Sequence, residues 1–219
     1  MKKKCSKKKR SKKELLFILS LHFVLAFTAC SNVQGSSIKM NSSNKEGIAP
    51  YELSEREQAL LDAFGMLDTS QIITFQAPEE TRTINVSVYR LVDVNVWEKI
   101  GGGAISSVLE RESSELRSGT FTMQLRENCA IDFCINYAGQ YSFQTEPVVP
   151  DQKIVGSTRS FLDSSQDIAL NTEIPIAVMV YDSGTRMQSY TPQDYFEPSK
   201  FEEMDLVQVV TLEFSDQSF

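Results

Sequence analysis

GTFTMQLRENCAIDFCINYAGQYSFQT, residues 119–145, is the stretch on which the fold turns. Apolar and polar residues alternate through its first nine positions, which puts Phe121, Met123 and Leu125 on the inward face of a strand. CAIDFCINY follows after Asn128, and Ala138-Gly139-Gln140 turns the chain into YSFQT. Three such runs joined by short connections read as an antiparallel meander.

Working outward, the same period-two pattern recurs. QIITFQA (71–77) alternates and stops at Pro78, and TINVSVYRLV (83–92) sets Ile84, Val86 and Val88 on one face. VNVWEKI (94–100) follows a turn near Asp93 and Asn95; the glycines 101–103 are expected to break it before AISSVL resumes. RESSELRSG (111–119) reads as loop. IVGSTRSFL, IPIAVMVYD (174–182) and LVQVVTLEFS (206–215) supply later strands, and the second is apolar on both faces, as a central buried strand is. TPQDYFEPSKFEEM (191–204) predicts one or two short helical turns. There is no βαβ rhythm. The prediction is an all-β domain over 51–219, an antiparallel β-sandwich or barrel-like fold of eight or nine strands with one short N-terminal helix.

That helix is predicted over Ser54 to Phe64. Ser54 and Glu57 have the spacing of a capping box, and Gly65 suits the C-terminal end. Leu60, Leu61 and Phe64 form one apolar stripe, expected to pack against the start of the domain rather than to dock a partner.

The first thirty residues differ from the rest. Residues 1–13 hold nine Lys or Arg and no acid, followed by the apolar run LLFILSLHFVLAFTA (15–29). A basic start, a short apolar stretch and small residues describe an export signal, too short for the ~20 residues of a spanning helix. Phe27-Thr28-Ala29-Cys30 resembles the lipobox of bacterial lipoproteins, although Leu is usual where Phe27 stands. The resemblance implies that the Cys30 thiol receives a diacylglyceryl group and that Cys30 becomes the new N-terminus. Two acyl chains hold a protein stably where one holds marginally. The expected location is therefore the extracytoplasmic face of a bacterial membrane. Residues 31–50, rich in Ser, Asn and Gly, read as a flexible tether with a span of about 25 Å.

Removing residues 1–29 takes away nine of 22 bases and one of 29 acids, so 13 bases face 28 acids and the net charge is −15. Such a domain is repelled by nucleic acid and by anionic lipid head groups. The single histidine, His22, is lost with the signal, which leaves no imidazole for a triad, a general base or a metal ligand. Cys129 and Cys134 lie five strand steps apart, about 16 Å, and a disulfide needs Cα atoms within about 7 Å. No bridge is expected between them. Cys129 is read as a core thiol on the face of Ile131, and Cys134 as the more accessible of the two.

No motif assigns a catalytic residue, metal or cofactor. Gly101-Gly102-Gly103 lacks the Lys-Ser/Thr that completes a phosphate loop and reads as a turn. Ser183, in Asp182-Ser183-Gly184, has no base nearby in sequence and also reads as a turn. Trp97 reads as a packing anchor. The densest aromatic-acid cluster is Tyr181, Asp182, Tyr190, Asp194 and Tyr195, with Phe196. Rings stack on sugar faces and carboxylates accept hydroxyl protons, so these five are the candidate ligand-binding residues; the competing reading is a loop packed over one end of the sandwich. The leading expectation is a lipid-tethered, non-catalytic module binding an envelope protein or glycan. The alternatives are a glycan hydrolase using carboxylates alone, and an accessory subunit of an exported complex.

Overall fold

The alternating runs fold as two antiparallel five-stranded sheets. The computed structural model describes residues 46–106, 117–137, 139–185 and 188–218. The expectations for the signal, for Cys30 and for the tether over 31–45 lie outside the described residues. In chain order come β1 (Gly47–Pro50), α1 (Glu55–Ala63), β2 (Ser70–Gln76), β3 (Thr83–Asp93), β4 (Val96–Ser106), β5 (Ser118–Leu125), β6 (Ile131–Asn136) and β7 (Gln140–Gln144). β8 (Gly156–Phe161), β9 (Glu173–Asp182) and β10 (Leu206–Ser215) complete the strands, and two 3-10 turns (Pro192–Phe196 and Pro198–Phe201) lie between β9 and β10.

One sheet has the order β1-β2-β5-β6-β7, the other β4-β3-β10-β9-β8. They are called here the β5 sheet and the β10 sheet. The predicted meander is β5-β6-β7, with Phe121 opposite Ile135 and Met123 opposite Phe133. The two inner faces share one core in which Ile73, Phe121, Ile135, Val210, Leu212 and Phe214 are each 0 % exposed. The architecture is a sandwich and not a closed barrel. The described strands number ten, above the eight or nine expected. One of the added strands is β1, inside the stretch read as tether; Ile48 gives it an apolar anchor, buried in the core.

Three local readings are corrected. The glycines 101–103 do not break a strand; they lie inside β4. Their smallness lets β7 of the facing sheet come close: a Cβ on Gly103 would stand 2.5 Å from the Phe143 ring. Gly102, at φ +150°, has its would-be Cβ 2.3 Å from the Val86 carbonyl oxygen. Cys129 does not lie in the strand. It occupies the turn before β6 at φ 58°, closed by its amide donating to the Arg126 carbonyl, and is buried as expected. The helix, finally, buries none of its residues. Its ends are as read: the Ser54 amide donates to Glu57 Oε2 at 2.8 Å. Gly65 (φ 65°) closes the far end, with its amide on the Asp62 carbonyl and the Met66 amide on that of Leu61. The stripe nevertheless stays in solvent, with Leu60 58 % and Phe64 71 % exposed.

β10 lies between β3 and β9, and its outward valines 207 and 209 are as buried as its core residues. Pro175, which has no amide hydrogen, stands at the β9–β10 bulge, where a ladder bond is dispensable.

Candidate functional site

The five candidate residues do not line one cleft. Tyr190, Asp194 and Tyr195 belong to a cap over the outer face of the β10 sheet. Val178, Val180, Val207 and Val209 form its floor, and Tyr190 and Phe201 stack above them at 4.8 Å between ring centroids. The cap holds its shape through local chemistry. Pro192 and Pro198 open the two 3-10 turns with a preset φ. Asp194 Oδ2 accepts from the Thr191 amide at 2.7 Å, and Lys200 Nζ donates to Oδ1 at 2.6 Å. Burial raises the Asp194 carboxyl, but the Lys200 ammonium and the Thr191 amide outweigh it and hold the group below the usual carboxylate range.

Tyr181 lies on the opposite side of the same sheet and packs against the inter-sheet core, where its hydroxyl meets the Cys129 thiol. Burial pushes this phenol far up; it also raises Cys129, against a smaller opposing pull from the Tyr181 hydroxyl. Asp182 is buried at the end of β9; burial raises the Tyr190 hydroxyl, and the nearby charges of Asp182 and Asp194 raise it further. Ser183 donates its amide to Asp205 Oδ2 at 2.5 Å, and the Ser183 hydroxyl together with this amide holds the Asp205 carboxyl low.

The carboxylate at the centre of the aromatic cluster is one the sequence did not single out. Glu173 takes the Tyr89 hydroxyl at 2.6 Å, the Tyr195 hydroxyl at 2.7 Å and the Thr211 hydroxyl at 3.1 Å. Tyr195 stacks between Tyr89 and Trp97, at 5.7 and 5.2 Å, and its carbonyl receives the indole N–H. Trp97 is therefore the anchor expected of it. Three donors occupy Glu173 and the rings lie against one another, so the cluster is built as a packed support.

Among the described residues, the other outer face is left largely uncovered. On the β5 sheet, strand register sets two polar rows side by side: Ser70, Gln124, Asp132, Gln144 and Ile72, Thr122, Cys134, Ser142. α1 and the turn after it stand along the β2 side of these rows. Leu61 and Met66 thereby form one wall of a groove of about 650 Å³, with Thr122, Gln124, Asp132 and Cys134 in its floor. That volume falls within the range of small-ligand and peptide sites. Asp132 is the one carboxylate among the lining residues, and it is engaged. Arg126 donates to Oδ2 through Nε at 2.6 Å and through Nη2, and Gln144 donates to Oδ1 at 2.6 Å. The groove offers amides, hydroxyls and a half-buried thiol beside an apolar wall. Its signal in the sequence is the polar half of GTFTMQLRE, whose Thr and Gln positions look like ordinary solvated strand residues until α1 is placed beside them.

Cys129 and Cys134 are both free thiols. Among the described residues there is no group of three or more His, Cys, Asp or Glu side chains placed to hold a metal ion, and no helix long and apolar enough to cross a membrane. Comparison of the chain with protein-family models, with curated proteins and with solved structures finds no match.

Proposed function

We propose that this chain is a non-catalytic binding module, moored by lipid on Cys30 to the extracytoplasmic face of a bacterial membrane, and that the groove beside α1 receives a segment of an envelope protein. The anchor rests on the basic start, the apolar run and Phe27-Thr28-Ala29-Cys30. The observation that carries the binding reading is the groove itself: an apolar wall of Leu61 and Met66 over a floor of amides and hydroxyls. Such a surface takes side chains on one side and pairs backbone amides on the other. A protein is favoured over a glycan because the outward floor positions carry no aromatic ring on which a sugar could stack, and the two phenylalanines that also line the groove, Phe133 and Phe143, pack their rings against each other and against Phe121 and Gly103 on the inward side.

Two measurements test this. With Cys30→Ser, cells fed labelled palmitate should leave the chain unlabelled and release it from the membrane fraction; unchanged labelling overturns the anchor. A photoreactive residue at Ser142, on the groove, should give discrete adducts in intact cells, while one at Ser199, on the cap, gives none. Equal adducts from both positions, or none from Ser142, overturn the groove as the binding site.

A further inference from the structure

The surface around α1 points to the chemistry of the partner. Leu60, Phe64 and Leu67 are 58, 71 and 37 % exposed, and Leu61 continues the same stripe into the groove. A helix that shows its apolar side to solvent marks a contact site more often than chance exposure of single residues does. The stripe is framed by charge of one sign. Residues 52–68 hold Glu52, Glu55, Glu57, Asp62 and Asp68 against Arg56 alone. Ser54 keeps the Glu57 carboxyl below its usual range through its hydroxyl and amide, so this charge persists into mildly acidic conditions. Inside the groove the balance is different: Asp132 is neutralised by Arg126, so the floor is polar without net charge. Thr122, Gln124 and Ser142 make no side-chain hydrogen bond among the described residues and are available to a ligand backbone.

We infer that the groove and the α1 stripe together bind an extended cationic polypeptide segment, with apolar side chains seated against Leu61, Met66 and Phe64 and Lys or Arg side chains facing the acidic rim. This rests on the groove being a binding site and adds the class of partner. Charge complementarity excludes the nearest competitor, a second copy of this chain. Two copies meeting through α1 would bring like acids together, on domains already carrying −15 each beyond residue 29. A cationic segment instead meets opposite charge at the rim and hydrocarbon at the wall, which favours both encounter and residence.

The test uses two ten-residue peptides, one alternating Phe with Lys and one alternating Phe with Glu. Each is titrated into the full chain held in neutral detergent micelles, with protein-free micelles as the blank and amide NMR shifts as the map. The Lys peptide should shift α1 and the β5–β6 floor and bind at least tenfold more tightly than the Glu peptide. Asp62→Lys with Asp68→Lys should abolish that preference, and Leu60→Ser with Phe64→Ser should weaken both peptides while leaving the amide spectrum of the sandwich folded. Equal binding of both peptides in the groove overturns the cationic partner and leaves the groove reading standing. Shifts confined to surfaces away from α1 and the floor, or no binding by either peptide, overturn both.

Discussion

The two outer faces of the sandwich have had opposite fates. On the β10 sheet the outward positions of β9 and β10 beneath the cap are Val178, Val180, Val207 and Val209, each at most 1 % exposed under the 3-10 turns and the Tyr190–Phe201 stack. On the β5 sheet the equivalent positions are Thr122, Gln124, Asp132 and Cys134, all half-buried beside a helix that covers only one flank. Both faces belong to the same sandwich, and one inter-sheet core supports both. The difference lies in what the outward half of each strand carries. Uncovered valines would expose enough hydrocarbon to justify ordering the two 3-10 turns above them, because each buried side chain stabilises by about 1.5–3 kcal/mol. Hydroxyls and amides provide no such drive, and among the described residues only α1 and the turn after it stand against the second face.

Matched truncations of two phenylalanines should break this contrast if it is wrong. Phe201, 1 % exposed, is the centre of the cap, and Phe201→Ala should lower stability by about 3–5 kcal/mol through lost burial and the cavity left behind. Phe64→Ala, on α1, should change stability by less than about 0.5 kcal/mol. Urea unfolding of the full chain reads both. Equal losses would mean that α1 is part of the folded core after all.

A smaller effect sharpens the contrast by asking what holds the cap down. Asp194 binds the Thr191 amide and Lys200, and its carboxyl titrates below the unfolded value of about 4. A depressed folded pKa contributes stability that is complete above the unfolded value and is lost as pH falls through the folded one. Asp194→Asn should therefore cost about 1 kcal/mol at pH 7, with the gap to the parent closing below about pH 4. A gap that stayed constant with pH would assign the loss to packing rather than to charge.

Much of this was legible in the sequence, and the failures have physical causes. IPIAVMVYD announced a buried strand because apolar residues at both parities leave no other placement, and LVQVVTLEFS read as a strand with the bounds the structure gives β10, Leu206 and Ser215. The cap was half-legible: the helical turns in 191–204 and the anchor role of Trp97 were read, whereas Glu173 was not. Glu173 matters through Tyr89, 84 residues away in sequence, and no local pattern encodes that pairing. The glycines at 101–103 misled because glycine signals a turn by default, whereas here it answers to Phe143 of the facing sheet. The groove was illegible for a related reason. Its floor looks like any solvated strand face, and its wall is a stripe that local pattern assigns to the core. Only the placement of α1 beside β2 joins the two.

The thiols offer the gentlest probe of the open face, because Cys134 lies on it and Cys129 is buried in the turn before β6, against Tyr181 of the inter-sheet core. Cys134 is half-buried in the groove floor, opposite Thr122 and Ser142 across the strands. Cys129 is 6 % exposed behind its turn, and burial raises its thiol, which lowers the fraction of reactive thiolate. An alkylating reagent should therefore modify Cys134 in the folded chain and reach Cys129 only when urea unfolds it, with peptide mass spectrometry separating both from Cys5 and Cys30. Cys134→Ser should leave stability within about 0.5 kcal/mol, since the groove does not depend on its sulfur for packing. A bound segment lying across the floor should slow the alkylation of Cys134 and leave Cys129 as it was. If Cys129 reacted as fast as Cys134 without denaturant, the turn at 126–130 would be opening on its own. The floor of the groove would then be a mobile edge rather than a preformed surface, and the distinction between the covered and the open face would have to be redrawn around that turn.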